Sequence, residues 1–177
     1  MAIVAVIFAG GASLRMGRDK AAMYGGVERL KECLHGAGVE RCVVLCGSKT
    51  RRSLFEGEVL VDPPEMKGLH QLIPWIHRRL AAPVLLVPCD AFLLSSEAIA
   101  AFLGSAPGGG VPCDENGRRQ PLFAYLPQDI TLNEFAESVS DLLQDLPSVD
   151  VGGHSAAFSN FNRPTELQHP ELSNRRL

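Results

Sequence analysis

Short apolar runs that alternate with amphipathic segments limit most strongly the folds open to this chain. The first run, Ile3–Phe8, is apolar throughout and is bounded by Gly10-Gly11. Such a run is typical of a central strand that is covered on both faces. Three similar runs follow: Arg41–Cys46, Glu58–Val61 and Pro83–Val87. The alternation predicts an α/β fold, as a single three-layer α/β/α domain with a mainly parallel sheet.

Apolar residues at helical spacing lie between these runs and predict three helices. Ser95-Ser96 is a plausible N-cap for the third of them. The three stripes are Val27, Leu30 and Leu34; then Leu69, Leu72, Ile73, Ile76 and Leu80; then Ile99, Phe102 and Leu103.

The second half of the chain is less regular. Gly104–Arg119 is rich in glycine and proline, which predicts a mobile surface loop around a single strand. Gln120–Leu126 predicts a strand that begins near a proline. The clearest helical stripe runs from Leu132 to Leu146, and a short helix is expected from Pro164.

Length and composition exclude several classes of protein. A chain of 177 residues fits one domain, expected over residues 1–170 with a frayed tail over 171–177. The 17 basic and 20 acidic residues are scattered, which argues against a nucleic-acid partner. Five cysteines without a Cys-x-x-Cys pair suggest neither disulfides nor zinc. No apolar run is long enough to span a membrane and no targeting segment is visible, so a cytoplasmic location is expected.

Most of the candidate ligand-binding residues lie where the first predicted strand ends, in the stretch from Phe8 to Lys20. Ligands of parallel sheets bind past the carboxyl ends of the strands, and glycines there let backbone N–H groups approach a polyphosphate. Arg15 and Lys20 could neutralise the phosphate charge. The spacing of Gly11 and Gly17 fits neither a P-loop nor a dinucleotide fingerprint.

The order of residues from Ala9 to Lys20, AGG-x-x-x-R-M-G-x-D-K, resembles the signature of the molybdenum cofactor guanylyltransferase (molybdopterin-guanine dinucleotide biosynthesis protein A) family. That family belongs to the nucleotidyltransferase superfamily, with a nucleotide-diphospho-sugar transferase-like, Rossmann-like fold. The resemblance implies Mg²⁺-dependent transfer of GMP from GTP to molybdopterin, with release of pyrophosphate. It assigns nucleotide binding to Phe8, Ala9, Gly10, Gly11, Gly17 and Lys20, and catalytic roles to Arg15 and Lys20. Gly10, where cytidylyl-transferring relatives usually carry alanine, favours guanine.

Two aspartates follow predicted strands. Asp90 comes directly after the strand that begins at Pro83, where a carboxylate could bind Mg²⁺ together with phosphate oxygens. It matches the metal-binding and catalytic aspartate of the family, and the alternative is a cap of the following helix. Asp62 matches a family aspartate that is associated with guanosine recognition, and its alternative is an Asp-Pro turn.

Two later segments extend the resemblance from Val4 to about Leu167. Phe158–Pro164 is similar to the family's F-x-N-x-N-T-P box, with Arg163 in place of threonine, so Asn160 and Asn162 are expected to face the pterin. Gln120-Pro121-Leu122 is similar to an acceptor-side segment. Departures occur at Cys46, which stands where an amide-bearing residue is common, at Gln71, which stands where a glycine is common, and at Ser138–Asp141, where an arginine is common.

The resemblance therefore predicts GTP, molybdopterin and Mg²⁺ as ligands, with no nucleic acid and no membrane. Transient contact with cofactor-synthesis or acceptor proteins is also expected. Three alternatives remain open at this point: cytidylyl transfer to molybdopterin, transfer to a sugar phosphate, and a non-catalytic nucleotide-binding module whose acceptor site has decayed.

Overall fold

Five strands form the central sheet, and four of them run parallel. The computed structural model describes residues 2–11, 20–159, 161 and 172. The strands of this sheet are β1 (Val4–Phe8), β2 (Arg41–Leu45), β3 (Glu58–Leu60), β4 (Val84–Pro88) and β6 (Tyr125–Leu126). Their order is β3-β2-β1-β4-β6, and only β6 is antiparallel to its neighbour. A second, two-stranded sheet pairs β5 (Val111–Pro112) with β7 (Ser148–Val149) in parallel.

Helices cover the central sheet on both faces. Within the described residues, the α-helices are α1 (Gly26–Gly36), α2 (Leu69–Leu80), α3 (Ser96–Ser105) and the four-residue α4 (Val139–Leu142). Short 3-10 helices span Lys20–Gly25, Lys49–Leu54, Pro121–Phe123 and Gly152–Phe158. The first three α-helices and β1 to β4 lie where the sequence predicts them. Ser95 caps α3 as expected, since its side chain accepts a hydrogen bond from the Ala98 amide.

The core lies in two layers because successive side chains of β1 point to opposite faces. On one face, Ala5 and Ile7 pack in a cluster with Leu30 of α1 and Phe102 of α3. On the other face, Val6 and Phe8 pack in a cluster with side chains of α2 and α4, among them Ile73, Ile76 and Leu142. The three-layer α/β/α prediction is confirmed.

The single strand expected within Gly104–Arg119 is present as β5, but the interpretation of the surrounding segment as a mobile surface loop is wrong in its central part. Val111 is 0% exposed, and β5 pairs with β7. The Gly110 amide and carbonyl also pair with Tyr125 at the start of β6. Because two-residue strands carry no periodic pattern, the pairing of β5 with β7 could not be predicted.

The strand predicted over Gln120–Leu126 is wrong in its first half. Pro121–Phe123 forms a 3-10 helix, in which the Phe123 amide donates to the Gln120 carbonyl. Pro121 has no amide proton to give to a ladder. The strand that pairs with β4 is Tyr125–Leu126, and just before it the Ala124 carbonyl accepts a hydrogen bond from the Leu86 amide at 2.9 Å.

The long helix predicted from Leu132 to Leu146 is also wrong, because the α-helix there is confined to Val139–Leu142. The Asn133 side chain accepts a hydrogen bond from the Phe135 amide, a local bond that competes with helix formation. Phe135, which was expected on the buried stripe, is 93% exposed. Leu142, Leu143 and Leu146 are buried as the stripe required.

The end of the chain is described only in part. The helix predicted from Pro164 lies outside the described residues, as does the predicted tail 171–177 apart from Leu172. Leu172 is 2% exposed and packs in a cluster with Met23, Phe92 and Phe161. None of the helices among the described residues combines the length and apolar character that crossing a bilayer requires.

Candidate functional site

The predicted site residues of the first half lie at one edge of the central sheet. Ala9, Gly10 and Gly11 leave the carboxyl end of β1, Asp62 follows β3, and Asp90 follows β4. Because these strands are parallel, their carboxyl ends meet at the same edge. Phe8 is in register with Leu45 of β2 and Pro88 of β4, so the chain segments after all three strands are neighbours.

Gly10 lies directly against Gly47, the second residue after β2. A Cβ atom on Gly10 would be 2.7 Å from the Gly47 Cα and 2.8 Å from its amide nitrogen. Gly47 has a φ of +81° and is equally close to Gly10. Neither position can carry a side chain without moving the backbone. Close packing of two strand ends therefore explains the glycine at position 10.

Gly11 borders open space. Apart from its chain neighbours, none of the described residues has an atom within 4 Å of the position that a Cβ would take, and its φ is outside the left-handed region. In the described part of the chain, no protein group accepts a hydrogen bond from the amide of Gly10 or Gly11. Two backbone N–H groups at the carboxyl end of a central strand suit the oxygen atoms of a phosphate.

Asp90 is buried, with 5% of its surface exposed. It lies in the turn after β4, and its carbonyl accepts a hydrogen bond from the Phe92 amide at 2.8 Å. The preceding residue, Cys89, donates from its amide to the Phe8 carbonyl at 3.2 Å, which ties this turn to the end of β1. Asp90 does not cap α3, since that helix begins at Ser96 and is capped by Ser95.

Arg29 of α1 holds the segment that follows Asp90. Its guanidinium donates to the carbonyls of Ala91 at 2.6 Å and Leu94 at 2.8 Å. Hydrogen bonds from a charged donor are stronger than neutral ones. Sequence reasoning missed Arg29, whose only signal is a basic residue beside the apolar stripe of α1.

Asp62 connects the ends of β2 and β3. Its Oδ1 accepts a hydrogen bond from the Gly47 amide at 3.1 Å, and its own amide donates to the Gly47 carbonyl at 3.0 Å. Burial raises the pKa of Asp62, and the hydrogen bond from Gly47 opposes that shift. The turn that follows spans Pro63–Met66, where the Met66 amide donates to the Pro63 carbonyl, so it begins one residue after Asp62. Contact of Asp62 with a nucleoside stays a prediction.

Arg51 reaches the same edge from the 3-10 helix that follows β2. Its Nη2 donates to the Ala9 carbonyl at 2.8 Å, and its guanidinium lies 5.9 Å from the centre of the Phe55 ring. Cys46, at the end of β2, is buried and its thiol lies 3.4 Å from the Ser48 carbonyl. Burial and the charge of Asp62 raise the pKa of the Cys46 thiol, whereas Arg51 and Arg52 lower it. Sequence reasoning missed Arg51 as well as Gly47.

Gln120 precedes the 3-10 helix that leads into β6, and its amide donates to the Pro112 carbonyl at 2.8 Å. Its side-chain nitrogen donates to Asp114 at 2.7 Å. The buried Asp114 carboxylate also accepts from the amides of Asn116 and Arg118, at 2.9 and 3.0 Å. Gln120 is thus held by a carboxylate that is itself fixed to the backbone.

The departures from the family pattern have local structural roles. The Gln71 side chain accepts a hydrogen bond from the Lys67 amide at 2.7 Å, before the first turn of α2. Ser138 caps α4 by accepting from the Asp141 amide, and the Asp141 carboxylate accepts from the Glu137 amide at 3.0 Å. These residues fix the starts of two helices.

Part of the predicted site cannot be placed. Arg15, Gly17, Asn160 and Asn162 lie outside the described residues. Lys20 begins the 3-10 helix before α1, and its side chain is not described. Among the described residues, no three His, Cys, Asp or Glu side chains group as metal ligands.

An α/β domain with glycine amides and carboxylates at the carboxyl edge of its sheet has the features of a nucleotidyltransferase. Residues 5–149 match the family described as the MobA-like NTP transferase domain. The chain therefore belongs to the MobA-like NTP transferase family. The predicted family and nucleotidyltransferase superfamily are confirmed.

Solved structures with the same fold include three relatives of low sequence identity. Molybdopterin-guanine dinucleotide biosynthesis protein A from Archaeoglobus fulgidus is 17% identical, with a TM-score of 0.65 over 93% of this chain and 94% of its own. A nucleotidyl transferase from Methanothermobacter thermautotroptrophicus is 16% identical, with a TM-score of 0.70 over the same shares. 4-Diphosphocytidyl-2C-methyl-D-erythritol synthase from Anaerococcus prevotii is 11% identical, with a TM-score of 0.56 over 94% of each chain. No curated protein matches the sequence.

The contact between Gly10 and Gly47 leads to a prediction about stability. Gly47→Ala is expected to lower the free energy of unfolding by about 2–4 kcal/mol, because backbone strain adds to a clash with Gly10. Gly57→Ala is the matched control: Gly57 has a φ of +80°, but its nearest neighbour to a new Cβ is the Lys31 amine at 3.9 Å. Urea unfolding of both variants measures the difference, and equal losses would contradict the close packing of Gly47.

Proposed function

We propose that this protein is a Mg²⁺-dependent guanylyltransferase, which joins the GMP part of GTP to the terminal phosphate of molybdopterin and releases pyrophosphate. The observation that carries the proposal is the pair of Gly10 and Gly11 amides without a protein acceptor among the described residues, one strand away from the buried Asp90. Membership of the MobA-like family supports nucleotidyl transfer. The resemblance of the Ala9–Lys20 stretch supports guanine and molybdopterin.

The reaction forms one phosphorus–oxygen bond and breaks another. An oxygen of the acceptor phosphate attacks the α-phosphorus of GTP, and the bond from that phosphorus to pyrophosphate breaks. Both reactants are negatively charged, so alignment and charge neutralisation are the main contributions that a protein can make. The amides of Gly10 and Gly11 would bind phosphate oxygens. Arg15 and Lys20 would hold the β- and γ-phosphates and stabilise the leaving pyrophosphate.

Asp90 is the residue that would hold Mg²⁺. A carboxylate is a hard oxygen ligand, and Mg²⁺ commonly takes one or two protein carboxylates and completes its coordination with phosphate oxygens and water. A single buried aspartate beside a phosphate site fits that requirement. When bound, Mg²⁺ supplies positive charge that draws the α-phosphate towards the acceptor and neutralises it.

The remaining residues would distinguish the two substrates. Asp62 has one carboxylate oxygen engaged by Gly47, while its Oδ2 lies 3.3 Å from the position of a Cβ on Gly10. That second oxygen would contact guanine or the ribose. On the acceptor side, Asn160 and Asn162 would face the pterin. Gln120, whose side chain is held by Asp114, would also lie on that side.

Incubation of the protein with each of the four NTPs, Mg²⁺ and molybdopterin, followed by analysis of the products, tests the proposal. A guanylylated pterin and pyrophosphate formed from GTP would support it. A cytidylylated pterin would show that the base is wrong. A second incubation replaces molybdopterin with sugar phosphates. If the protein binds GTP but releases pyrophosphate with neither kind of acceptor, it is a non-catalytic nucleotide-binding module.

Base choice gives a further prediction. The unmodified protein is expected to prefer GTP, and Asp62→Ala is expected to weaken GTP more than ATP or CTP, by about 1–3 kcal/mol, because a purine donor loses its acceptor. Calorimetry with the three nucleotides measures the difference, with the exposed Glu65→Ala as the charge-matched control. Thermal unfolding must first show that Asp62→Ala remains folded, since Asp62 also binds Gly47. Equal weakening of all three nucleotides would count against a base-reading role.

A further inference from the structure

The ladder of hydrogen bonds between β1 and β2 changes partners at Ala9. The Ala9 amide donates to the Leu45 carbonyl at 2.8 Å, as parallel pairing requires. Since Phe8 pairs with Leu45, the next bond of a regular ladder would run from the Gly47 amide to the Ala9 carbonyl. Instead, the Gly47 amide donates to Asp62, and Arg51 donates to the Ala9 carbonyl at 2.8 Å. Two charged side chains thus replace one backbone bond.

The ladder between β2 and β3 shifts at the same place. The Cys46 amide donates to the Leu60 carbonyl at 2.9 Å, in regular register. The next regular bond would run from the Asp62 amide to the Cys46 carbonyl, yet that amide donates to the Gly47 carbonyl at 3.0 Å. Gly47, with its φ of +81°, is therefore turned out of both ladders, and Asp62 binds it through both backbone and side chain.

We propose that Arg51 is a positioning residue, which sets the direction of the Gly10 amide towards phosphate by holding the Ala9 carbonyl. The Ala9 carbonyl and the Gly10 N–H belong to one planar trans peptide unit, in which they point in opposite directions. A guanidinium fixed on the carbonyl oxygen therefore fixes the N–H as well. Asp62 completes the arrangement by holding the Gly47 amide, which would otherwise compete for the Ala9 carbonyl. This inference rests on the proposed function, because it assigns the phosphate to the Gly10 and Gly11 amides.

The rival explanation is that Arg51 attracts the triphosphate by charge alone. Its neighbour Arg52 allows a direct comparison, because both side chains act electrostatically on Cys46. Arg52 is exposed, whereas Arg51 is partly buried and bonds to Ala9. A charge effect would appear in both positions, and a positioning effect only in Arg51.

The experiment compares Arg51→Met, Arg51→Lys and Arg52→Met in the full chain. Methionine keeps an unbranched side chain against Phe55 but removes the donor, and lysine can restore one donor. Two readouts are taken without nucleotide: the carbon NMR resonance of the Ala9 carbonyl, which is sensitive to the hydrogen bond from Arg51, and the NMR resonance of the Gly10 amide. Calorimetry then gives the affinities for GTP and guanosine.

Arg51→Met is expected to shift the Ala9 carbonyl resonance and to weaken GTP by about tenfold, as the loss of a charged hydrogen bond implies. It should also shift the Gly10 resonance and leave guanosine binding nearly unchanged. Arg51→Lys should recover part of each effect. Arg52→Met should leave both resonances as they are in the unmodified protein.

Unchanged Ala9 carbonyl and Gly10 amide resonances in Arg51→Met would overturn the inference, as would equal weakening of GTP by the two Met variants. Shifted resonances with unchanged GTP affinity would overturn it too, because Arg51 would then support only the fold. Failure of the unmodified protein to bind any NTP overturns the proposed function instead, and this is measured before the variants are compared.

Discussion

Asp90→Asn is expected to leave the protein folded and to slow nucleotidyl transfer by about 10²–10³-fold, the usual cost of removing one electrostatic element from a transition state. Asparagine has nearly the same shape but lacks the charge that holds Mg²⁺. The turn after β4 should survive, because its hydrogen bond from Phe92 uses the backbone carbonyl of Asp90. The measurement is kcat for pyrophosphate release at saturating GTP and molybdopterin, with thermal unfolding to verify the fold.

A Mg²⁺ titration makes this test specific to the metal. If Asp90 binds the ion, Asp90→Asn should also need a higher Mg²⁺ concentration for half-maximal rate. Asp129→Asn makes the same change of charge at an exposed position, and both quantities should stay unchanged in that control. A near-normal rate in a folded Asp90→Asn protein would refute the assignment of the metal to Asp90.

The first half of the fold could be predicted because its strands are buried on both faces. All five residues of β1 and all five of β4 are buried, so each strand appears in the sequence as a continuous apolar run. The helices between them bury one stripe each, as α1 does with Val27, Leu30 and Leu34. Sequence patterns of this kind report burial directly, and the prediction needed no knowledge of long-range contacts.

The second half could not be predicted in the same way, because contacts distant in sequence determine it. β5 and β7 have two residues each and are separated by more than 30 residues, so neither carries a recognisable period. From Leu132 to Leu146, the apolar spacing is helical, but side chains such as Asn133 bond to the nearby backbone instead. Burial of Leu142, Leu143 and Leu146 was predictable, whereas the helix that should have carried them was not.

The candidate site also contains residues that could be predicted from the sequence and residues that could not. Gly10, Gly11, Asp62 and Asp90 could be proposed because each directly follows a predicted strand, and parallel strands bring their carboxyl ends together. The residues that hold these four in place could not be predicted. Arg51 binds the Ala9 carbonyl across 42 positions of the sequence, and Gly47 packs against Gly10 after a separate strand. Without the register of the sheet, Arg51 is only one of several basic residues on a short helix.

Gly11→Val is expected to keep the protein folded and to weaken GTP by about a hundredfold or more, which corresponds to about 2.7 kcal/mol. A valine in place of glycine often destabilises a protein through backbone strain or a steric clash, and the structure indicates neither at this position. Gly11 is outside the left-handed region of φ, and no described residue beyond its chain neighbours lies within 4 Å of the new Cβ, so neither backbone strain nor a clash with these residues should unfold the domain. The branched side chain would instead occupy the open space beside the Gly10 and Gly11 amides, where the phosphates are expected.

Gly108→Val is the matched control for this variant, because Gly108 is also exposed, has no neighbour within 4 Å and lies outside the left-handed region. It precedes β5, at the end of that strand remote from the carboxyl edge, so nucleotide affinity should be unchanged. Calorimetry with GTP, GMP and guanosine then shows which part of the nucleotide the valine side chain excludes. Loss of affinity should grow with the number of phosphates and be small for guanosine. If guanosine is lost as completely as GTP, the nucleoside rather than the triphosphate lies over Gly11, and the proposed orientation of the substrate is reversed.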